Sequence, residues 1–262
     1  MKTNHVLILP ITIILFITSC SQQPKQKGTV ATISKSDSLP TAPTDSGKLI
    51  DIGFYDTFEK LPQLKLQIIS ESTYKKSTST TSIQTIKSEQ DKDFFYLTTA
   101  FKKHSFKKYR DYGGALSWSG CELSGYYPEL KLYAITQHST ADNLGFSELF
   151  LLDSITNYTY NIISPGDDRV ELPVISPNKR WMAYFHNAAY EPNVCDIFIL
   201  SIGDKTTPEK FLREHSSYHS NEFSIEEMIW QSDNCILIKV SRELEQNAEI
   251  IKVYEYYKTV LY

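Results

Sequence analysis

The sequence predicts an all-β fold, a propeller-like array of about four four-stranded units, with an irregular β-sandwich as the alternative. A turn followed by a strand-like run recurs four times, and a second such run follows each turn about twenty residues later. The chain is also rich in residues that favour strands, with 17 Tyr and 13 Phe among 262 residues. No sustained helical period is present, so we expect short helices only near Ser224–Met228 or Phe101–Tyr109.

Residues 1–19 have the pattern of a signal peptide. Lys2 precedes an uncharged apolar run, Val6–Thr18, which is shorter than the roughly 20 helical residues that span a bilayer. The sequence ITSC that ends at Cys20 then resembles the processing site of bacterial lipoproteins, which implies that Cys20 is lipidated and anchors the chain in a membrane. The alternative is an ordinary secretory signal that ends at a cysteine. Ser21 resembles the following residue of outer-membrane lipoproteins, so we expect the outer membrane of a bacterial cell envelope.

Residues 20–48 are expected to hold the lipidated cysteine and a disordered tether. The stretch after Cys20 is rich in Ser, Thr, Gln, Lys and Pro and contains no aromatic residue. Such a composition cannot bury enough apolar surface to offset the entropy lost when the chain is ordered. Nearly all aromatic residues follow residue 48, so residues 49–262 are predicted to form the β domain.

Each predicted unit contains a first strand, a turn, and three further strands. The turns are at Pro62, Pro128, Pro177 and Ser232. The first unit is expected to hold strands at Leu49–Tyr55, Leu61–Ile69, Ser82–Lys87 and Phe94–Thr98. The fourth is expected to hold strands at Ile225–Trp230, Ser232–Ile238, Glu249–Tyr254 and Tyr257–Leu261.

One unit carries a specific resemblance. Ser176–Tyr184 has the sequence SPNKRWMAY, and an apolar run follows at Asp196–Ser201. Together they resemble one blade of the TolB-like propeller repeats, although Asn178-Lys179 replaces the usual Asp-Gly of that turn. The match is faint in the other units. The resemblance implies a propeller-like fold that serves for binding, and it carries no catalytic residues.

The same arrangement predicts where a binding face lies. In a propeller blade, the turn between the second and third strands is at the same end as the link to the next blade. This rule places five histidines at one end of the domain, together with polar residues of the neighbouring loops, where function on β scaffolds is common. The predicted binding residues are His104, His138, Asp167, Asp168, Arg169, His186, Tyr190, Glu191, His215 and His219.

The charge balance and the motifs of the sequence indicate which kinds of ligand are not expected. The 27 Lys and Arg against 31 Asp and Glu give a net charge of −4, so we expect no nucleic-acid partner. The basic stretch Lys102–Arg110 is interpreted as a solvated segment, with contact to phosphate or anionic headgroups as the alternative. His215 and His219 lack the Glu of an HExxH motif, and no cofactor-binding motif is present, so we expect neither a metal nor a cofactor.

These observations favour a membrane-anchored envelope lipoprotein that binds a protein or glycan partner through one loop face without catalysis. Two alternatives remain open: a hydrolase that cleaves glycans with paired carboxylates, and an immunity or inhibitor-type lipoprotein. Carboxylates about 5–10 Å apart in a cleft would favour the hydrolase.

Overall fold

The computed structural model describes residues 49–77, 83–114, 117–141, 144–246 and 249–262. The predicted signal peptide, the predicted lipidation site at Cys20 and the predicted tether lie outside the described residues. Strands dominate the described part and form four separate sheets, none of which closes on itself. The all-β prediction is therefore confirmed.

The described elements are mostly strands, with two short helices near the start of the domain. In chain order they are β1 (Leu49–Ile52), α1 (Tyr55–Phe58), β2 (Gln67–Ile69), α2 (Glu71–Lys75), β3 (Glu89–Gln90), β4 (Phe94–Thr98), β5 (Lys103–Lys107), β6 (Arg110–Asp111), β7 (Trp118–Tyr127), β8 (Leu132–Ala141), β9 (Leu144–Asp153), β10 (Thr159–Ile162), β11 (Val174–Ile175), β12 (Trp181–Asn187), β13 (Cys195–Ile202), β14 (Leu212–Ser220), β15 (Ser224–Trp230), β16 (Cys235–Gln246) and β17 (Glu249–Val260). A single 3-10 turn, Pro208–Lys210, precedes β14.

Consecutive strands pair antiparallel in every sheet, and two sheets also recruit a strand from the start of the domain. The first sheet has the order β1-β10-β9-β8-β7-β6, in which β1 runs parallel to β10. The second has the order β11-β12-β13-β14. The third has the order β15-β16-β17-β2, so an N-terminal strand completes a sheet of C-terminal strands. The fourth contains β3, β4 and β5.

The sheets pack face to face in series, because neighbouring sheets share one apolar cluster. The second sheet is central, and β13 shows this best. Its even-numbered apolar residues, such as Phe198, are buried against the first sheet, whereas Ile197 and Ile199 are buried against the third sheet. Burial on both faces explains why this strand is an almost continuous apolar run in the sequence. The fourth sheet packs on the outer face of the first, and α2 covers the outer face of the third.

The predicted turn before β12 is confirmed, and its polar residues build it. The Ser176 hydroxyl accepts hydrogen bonds from the backbone N–H groups of Arg180 and Trp181, at 3.2 and 3.0 Å. Lys179 has a φ of 61°, a backbone conformation that glycine adopts more readily than other residues. The turn therefore keeps its geometry with a non-glycine residue.

The first and fourth predicted units are wrong in their strand content. The first unit does not exist as one sheet, because β1 joins the first sheet, β2 joins the third, and β4 pairs with β5. In the fourth, the two C-terminal runs form one strand, β17, and β2 supplies the missing edge. Such pairing joins residues that are far apart in the sequence, and no local pattern specifies it.

The helix prediction is also wrong in position. Ser224–Met228 lies in β15, and Phe101–Tyr109 contains β5. The helices found are the single turns α1 and α2. None of the helices in the described part of the chain is long and apolar enough to cross a membrane.

Candidate functional site

A two-lobed groove opens at one end of the interface between the first and second sheets. The first lobe, of about 560 Å³, is lined by the β10–β11 loop, the β12–β13 loop, and the adjoining ends of β12, β13 and β14. The second lobe, of about 490 Å³, lies beside the ends of β8 and β9. Asp168 and Tyr190 line both lobes, so the two lobes form one continuous groove.

A row of three polar side chains crosses the wall of the first lobe. His186 on β12 is directly opposite Asp196 on β13, which is directly opposite His219 on β14. Directly opposed residues of an antiparallel sheet point to the same face, so the three side chains are neighbours. His219 Nδ1 lies 2.8 Å from Asp196 Oδ1, and the Asp196 residue is only 7% exposed.

His186 is the most buried member of this row. It is 6% exposed, and its Nε2 has no hydrogen-bond partner among the described residues. Gly166 of the β10–β11 loop covers the ring: a Cβ at position 166 would lie 2.9 Å from His186 Cε1, so a larger residue would displace the loop or the ring. Burial lowers the pKa of His186 by more than Asp196, Asp168 and Glu171 raise it. The imidazole is therefore neutral at neutral pH.

Ser147 fixes the β10–β11 loop that carries Asp167 and Asp168. The backbone N–H of Ser147 donates to the Asp167 carbonyl oxygen at 2.9 Å. Its hydroxyl accepts from the Arg169 N–H at 2.8 Å. These two bonds clamp the loop to β9 and leave the carboxylates of Asp167 and Asp168 exposed in the groove.

Tyr55 enters the first lobe through a bend after β1. Gly53 has a φ of 95°, and a Cβ there would lie 2.6 Å from the Tyr184 hydroxyl, so the bend requires glycine. The Gly53 N–H donates to Glu214 Oε1 at 2.8 Å and thereby holds the bend. Burial and then the nearby Asp196 carboxylate raise the pKa of Tyr55, which is consistent with a ring that leans over the polar row.

The second lobe is built from stacked rings. The ring centroids of His138 and Tyr109 are 4.1 Å apart, and those of Tyr109 and Trp118 are 5.5 Å apart. His138 Nε2 also lies 2.8 Å from Glu122 Oε2. Trp118 remains 53% exposed and Tyr190 83% exposed, so the groove presents aromatic surface to a ligand.

The structure brings seven of the ten predicted binding residues together along this groove. They are His138, Asp167, Asp168, His186, Tyr190, Glu191 and His219. Arg169 lies next to the groove but lines neither lobe. Its guanidinium donates to the Val170 carbonyl oxygen at 2.7 Å and lies 3.8 Å from Glu171.

The prediction that five histidines share one face is wrong for His104 and His215. His104 belongs to β5, where alternate residues face inward, and its Nε2 lies 2.6 Å from Asn157 Oδ1 in the β9–β10 turn. That turn is at the opposite end of β9 from the groove. His215 lies inside β14, four residues before His219, and its ring packs 4.4 Å from that of Trp181. The sequence pattern ended this strand too early and therefore placed His215 in a loop.

Several groove residues were not predicted from the sequence. Asp196 was assigned only as the start of an apolar run, and Trp118 was not assigned to the binding face. Tyr55 was assigned to the first strand, whereas the chain bends at Gly53 and delivers it to the groove. Asp196 could have been found because it is a polar residue at the start of an otherwise apolar strand. The placement of Tyr55 and Trp118 in the groove depends on packing between distant segments, which leaves no local signal.

The chemistry available in the groove is limited. The described residues include no group of three or more His, Cys, Asp or Glu that could hold a metal ion. Among these same residues, the lining of the first lobe contains no Ser, Thr, Cys or Lys side chain, so a nucleophile of the kind used in acyl transfer is not at hand there. The Asp196–His219 pair can orient an imidazole, and the exposed carboxylates and rings can bind a ligand.

Replacement of His186 should change the pH dependence of stability. Because the pKa of His186 is lowered in the folded state, the unfolded chain binds the proton more readily than the folded chain does. The free energy of unfolding therefore decreases as the pH falls from about 6.5 towards the pKa of the folded state. His186→Gln cannot titrate, so its free energy of unfolding should fall less steeply over this interval. Urea denaturation of both proteins at several pH values measures this. Above pH about 7.5 the difference between them should be constant, which provides the control; equal slopes below that pH would contradict the assignment.

Comparison with known proteins identifies no relative of this chain. No protein-family model matches it, and no curated protein and no solved structure matches it either. The groove and the residues that line it are therefore the basis on which a function can be proposed.

Proposed function

We propose that this protein is a lipid-anchored lipoprotein of the bacterial cell envelope whose groove binds a protein or glycan partner without catalysis. The observation that carries this proposal is the combination of exposed aromatic rings and exposed carboxylates along one continuous groove. Tyr and Trp are enriched where proteins bind partners, because they offer a large apolar surface with little loss of side-chain freedom.

Binding is favoured over glycan hydrolysis by the exposure of the acids. A glycosidase keeps one carboxyl group protonated by enclosing it in an apolar site, next to a second, ionised carboxylate. Asp167, Asp168 and Glu191 are exposed loop residues, and Asp196, the buried acid of the groove, has a polar partner in His219 Nδ1 at 2.8 Å. This distribution suits ligand recognition better than acid catalysis.

The fold that we propose for this function is an open, propeller-like array, with the irregular β-sandwich as the alternative. Serial packing of sheets made of consecutive antiparallel strands supports this proposal. In such an array the loops between sheets and the loops between second and third strands meet at one end. The adjoining ends of β8 and β9, the β10–β11 loop and the β12–β13 loop line the groove in this way.

The proposed anchor is Cys20, followed by a flexible tether. The support is the position of this cysteine directly after a short apolar run, and the polar composition of residues 21–48. A flexible chain of that length has a root-mean-square reach of about 30 Å. The β domain would then stand off the membrane, with its groove free to meet partners.

The anchor can be tested with Cys20→Ser. The wild-type chain, expressed in a bacterium that lipidates its own lipoproteins, should incorporate radiolabelled palmitate and sediment with membranes, whereas Cys20→Ser should do neither. The buried Cys195 provides a matched control, because Cys195→Ser leaves the proposed anchor intact. Palmitate incorporation that survives in Cys20→Ser would contradict the assignment.

The groove can be tested by photo-crosslinking in the envelope. A benzophenone amino acid at position 190, in place of the exposed Tyr190, inserts into C–H bonds of either a protein or a glycan. We expect an adduct of reproducible mass from this position. The same amino acid in place of Ile155, which is 50% exposed in the β9–β10 turn, is the control and should give no such adduct.

Other outcomes of this experiment identify the alternatives. An adduct that forms equally from positions 190 and 155 would contradict a groove-specific partner. A secreted toxin as the crosslinked protein would favour the immunity or inhibitor-type role. Shortened glycan chains released by the wild-type protein, and not by Asp168→Asn, would favour the hydrolase.

A further inference from the structure

The groove holds negative charge that the protein itself does not neutralise. Asp167, Asp168 and Glu191 line it, and within the described part of the chain none of their carboxylates has a hydrogen-bond or ion-pair partner. No lysine or arginine of the described ranges lines either lobe. A cleft lined by charges of one sign concentrates the electrostatic field and attracts ions of the opposite sign.

Several charges outside the groove are paired. In the basic stretch that precedes β7, Lys103 Nζ lies 2.6 Å from Glu89, and Arg110 pairs with Asp93. Among the described residues that line the groove, no lysine or arginine plays this part. The groove is distinguished because its unpaired acids share one cleft with exposed aromatic rings.

Aromatic rings stand beside these acids. Tyr190 is 83% exposed and, like Asp168, lines both lobes. Tyr55 in the first lobe and Trp118 in the second are 40% and 53% exposed. The face of a Tyr or Trp ring attracts a cation within about 6 Å of its centre. Each lobe therefore offers a carboxylate and an aromatic face to the same charged group.

A buried polar atom in the wall gives a second, independent indication of a ligand with polar groups. His186 is 6% exposed and its Nε2 is unpartnered among the described residues. This atom points towards Gly166, which also lines the groove. Since the ring is neutral, it adds no positive charge to offset the acids. An unpaired buried polar atom is costly, and a ligand group that forms a hydrogen bond with it would remove that cost.

We infer that the groove binds an extended segment of a partner protein through its lysine or arginine side chains; this inference rests on the proposed binding function and names the chemistry of the partner. A neutral glycan would strip water from the exposed carboxylates without supplying an opposite charge. A basic segment supplies that charge and also contacts the rings. Alternate side chains of an extended chain lie on one side, about 7 Å apart, so one segment can place a cation in each lobe.

The test is fluorescence anisotropy with the full chain in a non-ionic detergent. The probes are a short labelled peptide of alternating lysine and serine, the same peptide with glutamine in place of lysine, and a labelled neutral N-acetylglucosamine oligomer. We expect the lysine peptide to bind, the glutamine peptide to bind much more weakly, and the affinity of the lysine peptide to fall as salt is raised to about 0.15 M.

Matched variants locate the site. The first is the triple variant Asp167→Asn, Asp168→Asn, Glu191→Gln. It should weaken binding of the lysine peptide by about tenfold or more, because three modest charge–charge contacts with the peptide are lost together. The control variant Asp233→Asn, Glu245→Gln, Glu249→Gln changes the net charge by the same amount at exposed positions outside the groove, and should weaken binding less than about twofold. Equal thermal midpoints would show that the two variants are equally folded.

Two results would overturn the inference. If both triple variants lose affinity equally, the peptide responds to net charge and not to the groove. If the neutral oligomer binds, and Tyr190→Ala abolishes that binding while the lysine peptide does not bind, the groove is a glycan site. The second result would leave the proposed binding function intact, whereas a failure of that function appears as the absence of a specific crosslink from position 190.

Discussion

The register of β12, β13 and β14 is the constraint on which the groove depends. Hydrophobic burial enforces it: Phe198 is buried against the first sheet, and Ile197 and Ile199 are buried against the third. A slip of one residue would exchange these faces and expose apolar side chains. The same register sets Asp196 opposite both His186 and His219. The apolar core therefore positions a polar row that contributes little to the core itself.

Several charges outside the groove are paired within the protein, including one that is fully buried. Asp153 is fully buried, and Lys205 Nζ pairs with it at 2.6 Å; Arg242 lies between Glu222 and Glu255. At the groove, the loop clamped by Ser147 presents unpaired carboxylates next to exposed rings. Proteins keep such uncompensated features where a partner supplies the missing charge, and this is the physical basis of the proposed function.

Local patterns in the sequence were sufficient to predict β12 and β13 of the second sheet, the Ser176 turn, and the loops that hold Asp167 and Tyr190. They failed where distant segments meet. The pairing of β2 with β17 has no local signal. His104 faces inward because of strand alternation in a segment that was interpreted as a link. Tyr55 reaches the groove only because Gly53 adopts a positive φ beside Tyr184. Each failure involves a contact between elements that are far apart in the chain.

The most direct test of the account is a nuclear magnetic resonance titration of the histidine side chains with the lysine–serine peptide. The chain carries its own internal reference, since His138, His186 and His219 line the groove and His104 and His215 do not. We expect the ring Cε1–H signals of the three groove histidines to shift with a common binding curve, while those of His104 and His215 stay in place. Shifts of equal size at all five histidines, or shifts confined to His104 and His215, would contradict binding in the groove.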